Sequence, residues 1–523
     1  MPPTSYPLGI SFPPHDIHAI SVSMPKWEHV IGYEEGDSKI LNVMVCGYPR
    51  FFRHPAVVAL ETATQTHLFP NDDINKWEVM IVPTFDVAKR LQSFLVMSNS
   101  DSTKPDEVTI HTFKNIIYAV RYRHHVKSTA KAYWQHTGEI ISSRHATHLM
   151  QLFQNNQEFQ PQAIRDSKHH LRLQQRIAEL YLSLNDPKKV ALYATGMSAI
   201  FASVRLLQTL KGRNVKSVLI GFPYVDTLKI LSRNEWCPQG VYFFPTCGEH
   251  EMKEIEKILK NEKILGIWTE FPSNPLLSMA DLKQLAQHAH ENGTLLVVDD
   301  TIGSYNINPM KHECADVVVT SLSKIFSGSS NVMGGSLVLN PMSSMIQELE
   351  TNLNVQNDSF LFEDDVLILL EQSQTLNQRL AKTNATTFEI VKKMENHPLV
   401  KDVFYPTRGD VKHLFDPFVK ESVEKEKPHF GPLFSIVLHG GCEPAKAFYD
   451  ALTCAKGPSL GTNFTLACPY SLLAHYVELD LIESYGVDRN LIRISIGQED
   501  CEILWANFKH ALDVASTTVS TSN

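Results

Sequence analysis

The sequence lacks the patterns that mark several classes of protein. None of its eight cysteines forms a Cys-x-x-Cys pair, so the chain matches no common zinc template and its thiols are expected to be reduced. It has no run of about 18 apolar residues and no basic start followed by an apolar run, so neither a membrane span nor a secretory signal is predicted. The net charge is −9 and no segment is strongly basic. We therefore expect a cytoplasmic protein with no metal site and no nucleic-acid partner.

Length and composition predict a globular chain of more than one domain. The chain has 523 residues, of which 43% are hydrophobic and 20% charged, and it is too long for one compact core. Between about residues 185 and 340, short β-branched runs alternate with helical patterns, as in an α/β domain with a mostly parallel sheet. We predict a divergent N-terminal region over residues 1–180, a large domain over 181–375 and a smaller α+β domain over 376–523.

The periodicity also places individual elements. In the N-terminal region it predicts a strand over 79–83, a helix over 86–96, a polar loop over 98–107 and strands within 108–120. In the large domain it predicts strands at 190–193, 218–221, 264–269, 295–298 and 317–320, with helices over 198–211, 225–232 and 279–292. A long helical pattern over 365–396 leads to C-terminal strands at 433–438 and 491–496. Because parallel sheets bind ligands beyond the carboxyl ends of their strands, we examined the residues at those ends.

Lys324 ends an apolar strand pattern, in the run Ser321-Leu322-Ser323-Lys324. Burying an ammonium group is unfavourable, so a lysine at this place is unusual. Desolvation lowers the pKa of such an amine and makes it a good imine-forming nucleophile. Taken alone, a lysine that snorkels from the strand end to solvent is the simpler interpretation.

Two neighbouring strand ends carry further candidates. Asp299 ends the strand Leu295–Val298, where its carboxylate fits a protonated ring nitrogen of a cofactor or, equally well, a helix N-cap. Gly196 and Met197 open a helix after the strand 190–193, and the amides of such a turn can hold a phosphate group. A single glycine at a strand–helix turn is common, so this second signal is weak by itself.

Three more candidate residues lie at or beside other predicted strands. Tyr224 can stack on a flat ring, although a core aromatic is the more frequent case. Asn274, held between two prolines, can hydrogen-bond a ring hydroxyl or simply belong to a proline turn. Arg493 lies inside an apolar strand and needs an anion, which is a substrate carboxylate or a structural salt-bridge partner.

Together these positions resemble the Cys/Met-metabolism family of pyridoxal-phosphate (PLP) enzymes, from about Val190 to Asp500. The motifs that carry the resemblance are Thr195–Ala199, Glu270–Pro275, Asp299–Thr301, Ser321–Lys324, Val332–Gly335, Ser459–Gly461 and Leu491–Gly497. The resemblance implies a fold type I, aminotransferase-like large domain in which Lys324 is the Schiff-base lysine and Asp299 and Tyr224 act at the cofactor ring. It further implies that PLP contacts Gly196, Met197, Asn274, Thr301, Ser321 and Ser323, and that the substrate contacts Ser459, Arg493 and Asn274.

The chain departs from the family pattern in the segment that is expected to reach the cofactor phosphate. In the family, a Tyr-x-Arg motif crosses a dimer to that phosphate, a few tens of residues before the phosphate turn. We favour Arg144 in Ser142-Ser143-Arg144 on distance, with Tyr48 and Arg50 of Tyr48-Pro49-Arg50 as the alternative. A second departure is Val225-Asp226 after Tyr224, where the family has two glycines.

The N-terminal motifs Gly47–Phe51 and Trp134–Gly138 resemble the fungal cystathionine γ-synthase branch. That branch implies γ-replacement on an O-acylated homoserine with cysteine as the incoming thiol, in a homodimer or homotetramer with a shared active site. Cystathionine γ-lyase and O-acetylhomoserine sulfhydrylase are the nearest alternatives. A regulatory homologue without activity is the alternative from another class.

Overall fold

The computed structural model describes residues 6–98, 105–155, 167–182, 186–356 and 359–519. Within these ranges the strands form sheets of two, three, seven and five strands. The described helices include none with the length and hydropathy needed to cross a membrane. Residues 99–104 of the predicted polar loop lie outside the described residues.

The N-terminal region is a layer of helices and short sheets that covers one end of the large domain. Its elements are β1 Ser11–Phe12, β2 Ser21–Val22, α1 Trp27–Glu34, α2 Ser38–Leu41, α3 Pro55–Leu68, β3 Trp77–Val82, α4 Phe85–Ser98, β4 Val108–Phe113, β5 Ile117–Arg123, α5 Lys127–Thr137, α6 Ser143–Gln154 and α7 Lys168–Tyr181. The strands β3, β5 and β4 form an antiparallel sheet in that order.

Strand β3 joins this layer to the large domain. Successive side chains of a strand point to opposite faces. Val79 and Ile81 pack in a cluster with residues of α3 and α6, whereas Met80 and Val82 pack in the same core cluster as the large domain. The N-terminal region is therefore fixed to the large domain through a shared core.

The large domain is built around a sheet with the order β6-β12-β11-β10-β9-β7-β8. Its elements are β6 Val190–Tyr193, α8 Gly196–Lys211, β7 Lys216–Ile220, α9 Val225–Ser232, β8 Val241–Phe244, α10 Glu249–Asn261, β9 Ile264–Glu270, α11 Leu282–Glu291, β10 Leu296–Asp299, β11 Val317–Ser321, β12 Gly335–Leu339 and α12 Ile346–Gln356. Strands β8, β7, β9, β10 and β11 pair in parallel, and β12 pairs antiparallel with both β11 and β6. The predicted mostly parallel sheet is thus present, and the carboxyl ends of its strands meet at one edge.

The C-terminal part contains a second sheet with the order β13-β14-β17-β16-β15. Its elements are α13 Glu363–Gln372, α14 Leu376–Glu395, β13 Val400–Phe404, α15 Gly409–Phe415, β14 Leu433–Leu438, α16 Cys442–Ala451, β15 Ala455–Lys456, β16 Leu466–Pro469, α17 Tyr470–His475, α18 Leu479–Ser484, β17 Ile492–Ser495 and α19 Cys501–Val519. Strand β17 carries Arg493 between Ser435 of β14 and Cys468 of β16.

Several predicted elements differ from the observed ones. The helix predicted over 365–396 is two helices, α13 and α14, separated by the 3₁₀ turn Ser373–Thr375. The helix predicted over 279–292 begins only at Leu282, because the Asp281 side chain accepts hydrogen bonds from the amides of Lys283 and Gln284 and caps it. The pattern missed β8, α10 and the antiparallel β12. The domain boundaries near 180 and 375 stay a prediction.

Candidate active site

A cavity of about 950 Å³ lies at the carboxyl ends of the central strands, under the N-terminal layer. The predicted site residues that line it are Gly196, Met197, Tyr224, Asn274, Asp299, Thr301, Ser321, Lys324, Ser459 and Arg493. Tyr48, Arg50, Asp226, His136, Glu270 and Tyr470 line it as well. Residues more than 400 positions apart in sequence are therefore brought to one place.

Lys324 lies just past the end of β11 with its amine inside the cavity. Its Nζ donates to the hydroxyl of Ser459 at 2.9 Å and lies 4.1 Å from the centroid of the Tyr48 ring. Burial lowers the pKa of Lys324, and the guanidinium groups of Arg493 and Arg50 act in the same direction, against the opposing effect of Tyr48. The amine is thus held away from bulk water in an environment that favours its neutral, nucleophilic form.

The turn before α8 presents backbone amides to the cavity. Thr195 caps the helix: its hydroxyl accepts the amide of Ser198, and the Ser198 hydroxyl accepts the amide of Thr195. A Cβ on Gly196 would lie 2.7 Å from the Cβ of Ser321, so only glycine fits there. The first amides of the helix point toward the cavity, where a helix N-terminus stabilises an anion.

Asp299 ends β10 as predicted and is tied to the neighbouring strand end. Its Oδ1 accepts the amide of Thr301 at 2.9 Å, and the Thr301 hydroxyl accepts the amide of Ser321, also at 2.9 Å. Burial raises the pKa of Asp299. The carboxylate forms no ion pair with any described residue, although it borders the cavity. It therefore lacks the cationic partner that a buried carboxylate needs.

Glu270 also lines the cavity. It belongs to the motif Glu270–Pro275, but the sequence alone gave it no role. Its carboxylate accepts the amides of Tyr224 and, at 3.0 Å, of Asn274, so it holds two cavity residues in position. Burial raises the pKa of Glu270 to about 8, and the nearby Asp299 adds to this effect. Two buried acidic groups thus lie side by side at the cavity wall.

Arg493 projects from β17 and is only 7% exposed. Its Nη1 donates to the Asn274 side-chain oxygen at 3.0 Å, its Nη2 donates to the Ser459 carbonyl at 2.7 Å, and its guanidinium lies 4.9 Å from the Tyr470 ring centroid. In the described part of the chain no carboxylate lies within salt-bridge distance of it. A buried arginine with only neutral partners is suited to an anionic ligand.

Ser459, which contacts both cationic groups, has an unusual backbone. Its φ is +88°, a left-handed value that a non-glycine residue adopts at a penalty of about 1–3 kcal/mol. In this conformation its hydroxyl faces Lys324 while its carbonyl faces Arg493. This strained residue lies between Lys324 and Arg493 and contacts both. It therefore aligns the two groups that would hold an amino acid.

Tyr224 lies at the start of α9, with its ring under the guanidinium of Arg50 at 5.1 Å. Arg50 donates to the Tyr224 hydroxyl and to the carboxylate of Asp226, and the other oxygen of Asp226 accepts from His136 Nδ1 at 2.8 Å. Asp226 and His136 were quoted in the sequence analysis without a role. The signal for Asp226 was its departure from the two glycines expected after Tyr224.

Two of the predicted cofactor contacts lie outside the cavity of this chain. Arg144 does not line this cavity: it lies in the first turn of α6 and donates to the Asn331 carbonyl at 2.6 Å and to Asp365 at 3.3 Å. Tyr48 and Arg50, the alternative, are in the cavity. Ser323 is also turned away, since its hydroxyl accepts the amide of Gly334 at 3.1 Å.

The residues present fit PLP. An amine at Lys324, helix amides beside Gly196, an aromatic ring at Tyr224 and an unpaired carboxylate at Asp299 match an aldehyde, a phosphate, a flat ring and a protonated pyridine nitrogen. Asp299 supplies the more specific test, because a pyridinium is the counter-charge that its buried carboxylate lacks.

Comparison with known proteins agrees with this geometry. The family model described as "Cys/Met metabolism PLP-dependent enzyme" matches residues 145–513, and the "Fungal trans-sulfuration enzyme, N-terminal domain" model matches residues 57–142. A cystathionine γ-synthase of Neurospora crassa is 33% identical over 98% of this chain and 99% of its own length, and one of Saccharomyces cerevisiae is 30% identical over 97% and 99%.

Solved structures support the same fold. A cystathionine γ-synthase of Xanthomonas oryzae pv. oryzae in complex with cystathionine gives a TM-score of 0.56 at 23% identity, covering 67% of this chain and 87% of that chain. At this identity the likeness concerns the fold alone, while the family models and the fungal relatives concern the sequence. The chain therefore belongs to the Cys/Met-metabolism family of PLP-dependent enzymes and shares its N-terminal domain with the fungal trans-sulfuration enzymes.

Proposed function

We propose that the protein catalyses a γ-replacement in which an O-acylhomoserine and L-cysteine give L-cystathionine and a carboxylate. The observation that carries the proposal is the buried Arg493, which has no ion-pair partner among the described residues and shares Ser459 with Lys324. This arrangement fits the α-carboxylate of an amino acid whose Cα lies near the lysine amine. The names of the full-length fungal relatives favour γ-replacement over other reactions on such a substrate.

Bound PLP would supply an electron sink for negative charge on the carbons of the amino acid. Lys324, with its lowered pKa, takes a proton at Cα and can return it at a neighbouring carbon. Arg493 and Asn274 orient the carboxylate end of the substrate. Asp299 would hold the pyridine nitrogen of bound PLP, and Glu270 keeps Tyr224 and Asn274 in place. In the overall exchange the thiolate of cysteine forms a bond to Cγ, and the acyloxy group leaves with the electrons of the broken C–O bond.

The cavity is large enough to hold the cofactor together with an amino-acid substrate. Sites for single small molecules span about 300–1,000 Å³. At about 950 Å³ this cavity is at the upper end of that range, and it extends from Lys324 to Glu34, Lys131 and Val477 near the N-terminal layer.

Product analysis with purified holoprotein tests the proposal. O-acetylhomoserine and O-succinylhomoserine are each incubated with cysteine, each is then incubated with sulfide, and cystathionine is incubated alone. We expect cystathionine from at least one acyl donor with cysteine, at a rate that exceeds the other two reactions. A faster formation of homocysteine from sulfide, or of a keto acid from cystathionine, would replace the proposal by the sulfhydrylase or the lyase. Protein that binds no PLP would indicate an inactive homologue.

A further inference from the structure

Tyr470 lines the cavity beside Arg493, although none of the sequence motifs contains it. It directly follows β16, whose Cys468 pairs with Arg493 of β17. The Tyr470 amide donates to the Leu491 carbonyl at 3.0 Å, which extends the same register by one residue beyond the strand. Because successive side chains of a strand point to opposite faces, Tyr470 lies on the same face of the sheet as Cys468 and Arg493.

The side chain of Tyr470 is connected to Arg493 in two ways. The guanidinium carbon lies 4.9 Å from the centroid of the tyrosine ring, which is a cation–π contact. The side-chain amide of Asn274 bonds to both residues: its nitrogen donates to the Tyr470 hydroxyl at 3.4 Å, and its oxygen accepts from Arg493 at 3.0 Å. The hydroxyl and the guanidinium therefore share one amide at one wall of the cavity.

The Tyr470 hydroxyl has a proton that no residue within the described ranges accepts. A tyrosine hydroxyl both donates and accepts, and Asn274 uses only its accepting side. Tyr470 is 3% exposed, and burial raises its pKa against the opposing effect of Arg493, so the hydroxyl keeps its proton at neutral pH. A buried donor without an acceptor is unfavourable, and a ligand in the cavity can supply the acceptor.

A carboxylate bound to Arg493 matches this donor. Each of its two oxygens can accept more than one hydrogen bond, so a guanidinium leaves room for a further donor. The atoms to which Arg493 donates do not supply one, because the Ser459 carbonyl and the Asn274 oxygen both accept. Tyr470 is therefore a neutral donor next to the guanidinium, and it adds no charge that would repel the Lys324 amine.

We propose that Tyr470 is a substrate-binding residue: its hydroxyl donates a hydrogen bond to the α-carboxylate that Arg493 holds. This role rests on the assignment of Arg493 to that carboxylate under the proposed function, and it adds a second donor to the same group. Asn274 is the positioning residue of the pair, since it bonds to both the hydroxyl and the guanidinium. Together the two donors select amino acids over amines that lack a carboxylate.

Tyr470→Phe removes the hydroxyl and keeps the ring beside Arg493. Holoprotein of wild type and variant is titrated with glycine and, separately, with methylamine, and binding is followed through the absorbance of the bound cofactor. The two probes share an amine and differ in the carboxylate. We expect Tyr470→Phe to weaken glycine binding about tenfold, at the lower end of the effect of a hydrogen bond to a charged group, and to leave methylamine binding within about twofold.

Two results would overturn the proposal. Glycine bound as tightly by Tyr470→Phe as by wild type would show that the hydroxyl does not contact the carboxylate. An equal loss of glycine and methylamine binding would assign the hydroxyl to the amine or to the cofactor. Glycine has no γ-carbon, so the titration does not depend on γ-replacement. A protein that forms no cystathionine would contradict the proposed reaction without changing this result.

Tyr405→Phe is the matched control. Tyr405 is also buried, and its hydroxyl donates to the Gly431 carbonyl at 3.0 Å, but it lies outside the cavity. We expect this variant to bind glycine within about twofold of wild type. A loss equal to that of Tyr470→Phe would attribute the effect to a general change in stability and would contradict the role of Tyr470.

A double variant of Tyr470→Phe with Arg493→Lys tests whether both side chains act on one group. If they hold the same carboxylate, the combined loss of glycine affinity differs from the product of the two single losses. A combined loss equal to that product would place the two side chains on separate groups of the ligand and would count against the proposal. The cofactor absorbance of each variant before glycine is added shows that the variant is folded.

Discussion

Arg493 and Arg50 line the same cavity, and both are almost fully buried, but they are held in opposite ways. Arg493 donates to an amide oxygen and a backbone carbonyl, and no carboxylate among the described residues neutralises it. Arg50 is paired with the buried Asp226, which His136 supports from the other side. The first arginine is incomplete without a ligand, and the second is complete within the protein.

The difference separates two uses of a buried positive charge. A buried charge that borders a cavity and has no counter-ion is suited to a ligand that supplies the missing partner, because its desolvation is otherwise only partly compensated. A charge with a counter-ion serves to fix the position of its neighbours. Arg144, which pairs with Asp365 away from the cavity, belongs to the second kind and shows that the type of residue alone does not indicate a site.

The largest expected effect concerns the group that both arginines flank. Lys324→Ala removes the only side-chain amine that lies next to Ser459 in the described cavity, and we expect the rate of γ-replacement to fall at least about 10³-fold. The absorbance of the covalently bound cofactor should disappear as well. Activity assays measure the rate, and absorbance spectra measure the bound cofactor. Circular dichroism shows whether the variant is folded. Retention of more than a tenth of the activity would exclude Lys324 as the reactive amine.

The next effect tests the arginine without a counter-ion. Arg493→Ala should raise the KM for the acylhomoserine and lower kcat/KM by about 10–100-fold, because a charged hydrogen bond to the substrate carboxylate contributes about 1.5–3 kcal/mol. Arg489→Ala is the control, since Arg489 is a surface residue paired with Asp480 and Glu483. Equal kinetic effects of the two substitutions would rule out the assigned role of Arg493.

For the free energy of unfolding we expect the opposite order, with a larger loss at the Arg50–Asp226 pair than at Arg493. Asp226→Ala leaves Arg50 buried without its carboxylate, so we expect the free energy of unfolding to fall by about 3–5 kcal/mol. Arg493→Met leaves no unpaired carboxylate behind, only the Asn274 oxygen and the Ser459 carbonyl without a donor, and should lower the same quantity by a smaller amount, about 1–3 kcal/mol. Urea unfolding of the PLP-free proteins measures both. Similar losses in the two variants would remove the distinction between the two arginines.

A smaller effect concerns pH. Glu270 has an ordinary pKa of 4.5 and a folded-state pKa of about 8, raised by burial and by Asp299. Between these values the folded protein keeps a proton that the unfolded chain has lost, so this group makes stability fall as pH rises, by at most about 1.4 kcal/mol per pH unit. Melting temperatures of PLP-free protein at pH 5.5 and pH 7.5 should differ less for Glu270→Gln than for wild type. If the difference in melting temperature is as large in Glu270→Gln as in wild type, another group causes the pH dependence.

The smallest effect is expected at Arg144, which lies outside the cavity of this chain. Arg144→Ala should leave PLP affinity within about twofold, because the side chain bonds to Asn331 and Asp365 and not to the cavity. Absorbance titration measures this affinity beside that of Arg50→Ala. A tenfold weakening would restore Arg144 as a phosphate contact.

The strand ends of the large domain could be predicted because two short-range rules coincide there. Apolar β-branched runs marked β10 and β11, and parallel strands place the residues after them at one edge, so Asp299 and Lys324 were found from sequence. The same rules did not predict β12. This strand is antiparallel to its neighbours, and its composition does not indicate its direction. They also joined α13 and α14, because the turn at Ser373–Thr375 contains neither glycine nor proline.

The position of Arg50 could not be predicted in the same way. It depends on contacts with Gln135 and Asp226, which lie 85 and 176 residues away in sequence. Distance along the chain favoured Arg144 over Arg50, but contacts with Gln135 and Asp226 hold Arg50 in the cavity although many residues separate it from the phosphate turn. Strand alternation does not fix the direction of Ser323 either, because β11 ends at Ser321 and Ser323 lies in the turn that follows, where its hydroxyl accepts the amide of Gly334.

The contact between Gly138 and Thr195 bears on how this chain can be divided. The region that matches the PLP-dependent family begins at residue 145, seven residues after Gly138. A fragment that starts there would keep Lys324, Asp299 and Arg493, yet it would lose the carbonyl that receives the Thr195 hydroxyl and the histidine that supports Asp226. The boundary drawn by sequence similarity therefore does not separate the site from its supports, because the segment that carries His136 and Gly138 lies on the N-terminal side of it.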